Sequence, residues 1–288
     1  MKRTFILIFI LLSICGCQAG RPEVKIGPEQ ARTLNLDLTG GVAAHASGDI
    51  FLTTPTGLQK YNPRKKQLED LLNDTTRDIQ DVALAPNGVP LALRPQTLCG
   101  VAAGYLFDIH SLPGRAFALS CDREFAYILT RGGRGAQLIR YHLTGPTQGR
   151  IQPILATEDI PQALCAVRGG CLVASGGNII KATDPAPGDS QTEDQVATAL
   201  LVAVHDPITS IAADPSRLIV YFSTANTTYA WVQGQILPIF PAGDSLAWAK
   251  DTLTLCLTAQ QNSQIIQIPN VSKHTHELLK KLSPTTPE

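Results

Sequence analysis

What this chain has little of narrows it first. Neither sign of charge is in excess, with 24 Lys and Arg against 24 Asp and Glu. Setting Lys2 and Arg3 aside with the leader described below leaves 22 basic residues (24 less two) against 24 acidic ones. No polyanion-binding surface is implied, and no nucleic-acid partner is expected. Long helical patterns are few. No Cys-x-x-Cys spacing occurs among the seven cysteines, so neither a metal site nor a cofactor is expected from them. The two tryptophans, Trp231 and Trp248, do not recur at a fixed period. Glycine and proline are abundant instead, 23 and 20 of 288 residues, alongside 44% hydrophobic residues. That balance favours many turns and short strands, in one large or two ordinary domains.

The N-terminus has the form of an export signal. Lys2-Arg3 precedes the apolar stretch Phe5 to Ile14, which is too short to span a bilayer as a helix. Ile14-Cys15-Gly16-Cys17 resembles the lipobox of bacterial lipoprotein precursors, with an aliphatic residue three positions before the cysteine and a small one directly before it. Cys17 fits that pattern because Gly16 precedes it; Cys15 fits poorly because Ile14 does. The resemblance implies a signal peptide over 1–16, a diacylglyceryl thioether on Cys17 and a further acyl chain, such as palmitate, on its amine. Several chains give durable anchoring where one is marginal. Gln18 in place of Asp leans, by the same resemblance, toward the periplasmic side of an outer membrane in a diderm cell. Residues 17–31 read as a lipidated tether whose full extension is roughly 45–50 Å at ~3.3–3.6 Å per residue.

Beyond the tether a unit repeats. Its clearest copy runs from Glu124 to Leu143, where the apolar Phe125-Ala126-Tyr127-Ile128-Leu129 meets a glycine-rich loop at Thr130–Gly135 and returns as Gln137-Leu138-Ile139-Arg140-Tyr141. Similar loops begin at 53, 94, 130, 175, 223 and 258, so the steps are 41, 36, 45, 48 and 35. Upstream of each apolar run lies a short alanine-rich strand, such as Val82-Ala83-Leu84-Ala85 or Ile211-Ala212-Ala213, followed by a tight turn. Outer strands are vaguer: Gln67 to Leu72, Tyr105 to Ile109, Ile151 to Leu155, Thr198 to Ala203 and Ile236 to Phe240. The sixth repeat lacks one, and the strictly alternating Leu34-Asn35-Leu36-Asp37-Leu38 is expected to supply it. The resulting expectation is an all-β chain, a β-propeller of six blades with four antiparallel strands each, over residues 32–270. A short helix over Ser272 to Leu282 and a frayed tail complete residues 271–288. A polar insertion, Ala182 to Gln195, is expected as a mobile loop of the fourth blade.

Val82-Ala83-Leu84-Ala85-Pro86-Asn87-Gly88 and Ile211-Ala212-Ala213-Asp214-Pro215 resemble NHL-repeat and related six-bladed propellers, over about Leu34 to Ile268. The Val-Ala-Asp ending usual in those repeats is absent, so the resemblance implies the fold and no shared function.

Candidate sites are few. Cys165 and Cys171 flank a turn and read either as a disulfide or as two buried thiols. Arg94, Arg131 and Arg134 lie in equivalent loops and are candidates for a cationic ligand face suited to carboxylate or phosphate, the alternative being solvated loop charges. Asp49, Asp122, Asp214 and Asp251 recur at turns and read as structural acceptors. Ala242-Gly243-Asp244-Ser245-Leu246 contains the string of one serine-esterase family, with His274 or His276 downstream, but without that family's surroundings. On the inner strands His45 and Ser210 are isolated polar residues. The function expected is a lipid-anchored, non-catalytic envelope module that binds a protein or scaffolds a complex; the alternative is a propeller hydrolase or lyase with a site in the channel near His45.

Overall fold

The repeat builds six four-stranded antiparallel sheets that close into a β-propeller. A computed structural model describes residues 30–34, 37–73, 78–133, 135–183, 197–214, 216–241, 243–257 and 263–282. Within each blade the strands are A to D from the axis outward. Blade one is β2 (Val42–Ala44), β3 (Ile50–Thr54), β4 (Gly57–Asn62) and β5 (Gln67–Asp70), and blade two is β6 (Asp81–Leu84), β7 (Pro90–Arg94), β8 (Thr97–Ala102) and β9 (Tyr105–Ser111). Blade three is β10 (Arg115–Cys121), β11 (Phe125–Gly132), β12 (Gly135–His142) and β13 (Ile151–Thr157), and blade four is β14 (Ala163–Val167), β15 (Gly170–Ser175), β16 (Asn178–Thr183) and β17 (Thr198–Ala203). Blade five is β18 (Ile208–Asp214), β19 (Ile219–Thr224), β20 (Thr227–Val232) and β21 (Gln235–Pro241). Blade six takes β22 (Ser245–Ala249), β23 (Thr252–Leu257) and β24 (Ser263–Pro269) from the end of the chain and β1 (Gln30–Leu34) from its beginning.

Why the B strands are apolar on both faces follows from this arrangement. A blade is covered on each side by a neighbour, so β3 is buried at every position, as is β19. Six apolar clusters result, one between each pair of adjacent blades. Tyr127 and Leu129, for example, meet Leu164 and Val173 between blades three and four. Near the axis the blades crowd, and alanine serves there: Ala43, Ala83, Ala118, Ala163, Ala212 and Ala247 are all buried.

Strands closing the ring from both ends of the chain are as the sequence suggests, but the segment differs. The closing strand is β1, paired as Gln30↔Gln267 through Leu34↔Ser263, four residues before the expected one and partly inside the expected tether. Leu38 instead packs with Val42 in the core between blades one and six. An outer strand is held by backbone hydrogen bonds, so alternating leucines do not report its position. The insertion over Ala182 to Gln195 falls, from 184 on, outside the described residues.

Because A to D alternate in direction, the B–C turns and D–A connections form one face, here the upper, and the A–B and C–D turns form the lower. The helix α1 (Val271–Leu282) leaves β24 on the lower face and is tied down by blades five and six. The Ser272 N–H donates to Asp251 Oδ1 at 2.8 Å, the Ser272 hydroxyl to the buried Asp214 Oδ2 at 2.7 Å, and Arg217 to Asp251 Oδ2 at 2.8 Å. Burial works to raise the Asp251 carboxyl, but the Ser272 and Arg217 hydrogen bonds outweigh it and hold the group below its ordinary value. A carboxylate at a helix N-terminus also meets unpaired N–H groups.

Candidate functional site

On the upper face of blade three, two arginines stand opposite each other. Arg115 opens β10 and its cross-strand partner on β11 is Arg131. A β-bulge sets this register: Phe117 is the extra residue between Ala116 and Ala118, and the regular pairing seen below it would put Arg115 opposite Gly132. Both arginines are exposed, and the Arg131 guanidinium lies over the Phe117 ring, 5.4 Å from its centroid. Neither enters an ion pair with a described residue. Like charges directly opposite in a sheet cost stability, while the exposed cation–π contact returns only about 0.5–1 kcal/mol. Two planar forks so placed suit a carboxylate or a phosphate. The turn beyond them bends at Gly133, whose φ of 58° is one that side chains rarely adopt.

The other arginines expected on this face are arranged differently. Arg94 is gripped by Asp78 of the preceding connection, Nε to Oδ1 at 3.1 Å and to Oδ2 at 2.9 Å, and Nη2 to Oδ2 at 2.7 Å. Its fork is already filled, so it is a fastening of blade two and not part of an open cationic patch with Arg131. Arg134 and Cys17 lie outside the described residues. Arg115 was missed in sequence because only the bulge brings it opposite Arg131, and no residue type announces that bulge.

Polar residues of the inner strands are used between blades. Asp81 Oδ2 accepts the Leu119 N–H of blade three at 2.7 Å, and Ser120 Oγ accepts the Ala166 N–H of blade four at 2.8 Å. Ser210 Oγ accepts the Leu246 N–H of blade six at 2.9 Å, whereas the Cys165 thiol donates within its own blade, to the Ala166 carbonyl at 3.6 Å. The Ser245 hydroxyl donates to the Gly40 carbonyl of blade one at 3.0 Å. Between blades one and two the backbone comes so close that a Cβ on Gly41 would overlap the Asp81 carboxylate. Burial pushes the Asp81 carboxyl up to about 7, against the pull of the Leu119 and Val82 N–H groups. Asp81 was overlooked in sequence, where the inner strands read as apolar apart from His45 and Ser210.

His45 is not in the channel wall. It sits in the A–B turn on the lower face, where Nδ1 meets Ser47 Oγ at 2.8 Å and the ring packs against the Gly88 turn of blade two. Its Nδ1 is thus engaged within its own turn. The esterase-like residues stand apart: Ser245 starts β22 at the upper end, whereas His274 and His276 are on α1 at the lower end. His276 Nδ1 is 2.7 Å from the Ser272 carbonyl. Ala242 lies outside the described residues.

Cys165 and Cys171 are not joined. Cys165 pairs with Leu172 and Cys171 with Ala166, so adjacent positions point the two side chains to opposite faces of the sheet. Cys165 packs toward blade five and Cys171 toward blade three. Burial pushes the Cys165 thiol up to about 12. The turn aspartates accept local donors: Asp122 Oδ1 takes the Glu124 and Phe125 N–H groups, and Asp49 takes Asn62 Nδ2. Among the described residues no three His, Cys, Asp or Glu side chains gather as metal ligands.

Comparison with known proteins supports the architecture. No protein-family model and no curated protein matches the chain. Solved structures do. A gluconolactonase from Xanthomonas campestris is similar at 12% identity, with 85% of this chain and 92% of that one covered and a TM-score of 0.66. Regucalcin from Agrobacterium tumefaciens, described as a calcium-binding protein, is similar at 11% identity, 85% and 95% coverage and a TM-score of 0.64. Virginiamycin B lyase from Staphylococcus aureus is similar at 10% identity, 84% and 100% coverage and a TM-score of 0.55. At such identities the likeness is one of fold.

Proposed function

We infer that this chain is a lipid-anchored, non-catalytic β-propeller of the cell envelope that binds a protein or another envelope component through the upper face of blade three. The Arg115–Arg131 pair carries this reading, since it is exposed, costly to hold together and without a described acidic partner. The anchor rests on the lipobox at Ile14-Cys15-Gly16-Cys17. The partner's contribution is an anionic group, a carboxylate or a phosphate. Affinity capture from envelope extracts tests this: the wild type should retain a partner that Arg115→Glu/Arg131→Glu loses, and identical recoveries would count against it. Fatty-acid labelling that persists unchanged in Cys17→Ala would remove the anchor.

A second reading, a hydrolase or lyase working in the channel, is favoured by one observation, the Asp81 carboxyl at about 7 beside the axis. The gluconolactonase and the lyase share this fold. Turnover in an esterase and lactonase screen that Asp81→Asn abolishes would favour the enzyme.

A further inference from the structure

The lower face has its own surface chemistry. Formal charge cancels over the whole chain, yet it is not spread evenly over the two faces. Arg64, Lys65 and Lys66 form the C–D turn of blade one, Lys250 the A–B turn of blade six, and Lys280 and Lys281 the last turn of α1. All six are exposed, and none pairs with a described carboxylate. The upper face instead carries Asp37, Glu158, Asp159, Asp206 and Asp244 in its D–A connections. Two leucines stand out beside the basic residues. Leu218, in the A–B turn of blade five, is 76% exposed and has a φ of 54°, and Leu282 at the end of α1 is 59% exposed. A bulky residue in the left-handed region is an outlier for a turn that glycine or asparagine would suit.

Where the N-terminal segment emerges gives the occupant. The pairing Gln30↔Gln267 puts the start of β1 beside the end of β24 that leads into α1, hence on the lower face of blade six. A segment running from Cys17 to Gln30 therefore meets the ring within the basic arc of blades five, six and one. The acidic residues Asp184, Asp189, Glu193 and Asp194, between β16 and β17, lie outside the described residues.

We propose that this arc is a membrane-docking surface: the lysines and Arg64 lie against anionic lipid headgroups, and Leu218 and Leu282 enter the interface. It deepens the envelope-anchored reading above and adds the second signal that supplements acyl chains. It also directs the upper face, with Arg115 and Arg131, away from the bilayer.

The test uses the full lipidated chain incorporated in vesicles of phosphatidylcholine alone or mixed with phosphatidylglycerol, read by amide hydrogen exchange. Phosphatidylglycerol should slow exchange at residues 216–218 and 271–282 and leave the B–C turns unchanged. Lys280→Glu/Lys281→Glu should abolish the difference, as should high salt, and weaken anionic-vesicle affinity roughly fivefold or more per lysine. Leu218→Gly suits the backbone at that turn, so its loss of protection at 216–218 would not reflect misfolding. Equal exchange in both vesicles overturns the proposal. If Cys17 carries no lipid and neutral vesicles do not retain the chain, the anchor reading fails; binding to anionic vesicles with the same protection would still uphold this surface, and no binding would overturn it too.

Discussion

The upper and lower faces of the ring are made from the same repeat but resolve their polar groups in opposite ways. Below, charged groups near the axis are knitted into the fold: Asp214 and Asp251 hold Ser272 and Arg217, and α1 is fixed by them. Above, on blade three, Arg115 and Arg131 are set against each other without a described partner. The contrast separates residues kept for stability from residues kept for something outside the chain. Substitutions at these two sites should accordingly change different measurements.

The largest effect is expected from Asp214→Ala. It leaves the Ser272 and Ser216 hydroxyls without this acceptor and removes one of the two carboxylates that hold the start of α1, costing about 2–4 kcal/mol in denaturant unfolding. A loss near zero would mean that the lower face is not held in this way.

Next is the pH dependence due to Asp81. Its folded value is raised to about 7 from an ordinary 3.8, so the native state binds the proton more tightly than the unfolded chain does. The stabilising contribution is complete below about 4, falls as pH rises to about 7 and is flat beyond, a change of roughly 2–4 kcal/mol. Thermal unfolding of the wild type and Asp81→Asn across that window checks it; the variant should lack this part of the slope.

Leu218→Gly is expected to leave stability unchanged or raise it by about 0.5–1 kcal/mol, because glycine accepts the backbone that leucine strains to adopt. The smallest change in stability belongs to Arg131→Ala, within about 0.5 kcal/mol, since the lost contact with Phe117 is offset by relief of Arg115. The same substitution should nevertheless abolish partner capture. A variant equally harmful to folding would erase the distinction between the faces.

How much of this was legible in sequence depends on the kind of force involved. The B strands announced themselves because both of their faces are buried, and the alanine-rich A strands because the axis is crowded. Strand β17 came out at its observed limits, Thr198–Ala203, even though it is an outer strand. The closing strand was displaced by four residues, since backbone pairing to β24 leaves little trace in side-chain pattern. Side-chain chemistry was least legible. Arg94 looked equivalent to Arg131 by loop position, yet Asp78 satisfies the one and a bulge exposes the other beside Arg115. Cys165 and Cys171 were close in number and across one turn, but a register offset of a single residue sends them into different cores. Asp81 was hidden in a run that reads as apolar, and its role exists only between blades.

One experiment in intact cells addresses the division between the faces directly: photocrosslinking from a probe side chain at position 115 and, separately, at position 218. The account predicts a protein adduct from 115 that disappears when Arg131 is replaced by Glu, and lipid adducts without a protein from 218. A discrete protein adduct from 218 with none from 115 would contradict it.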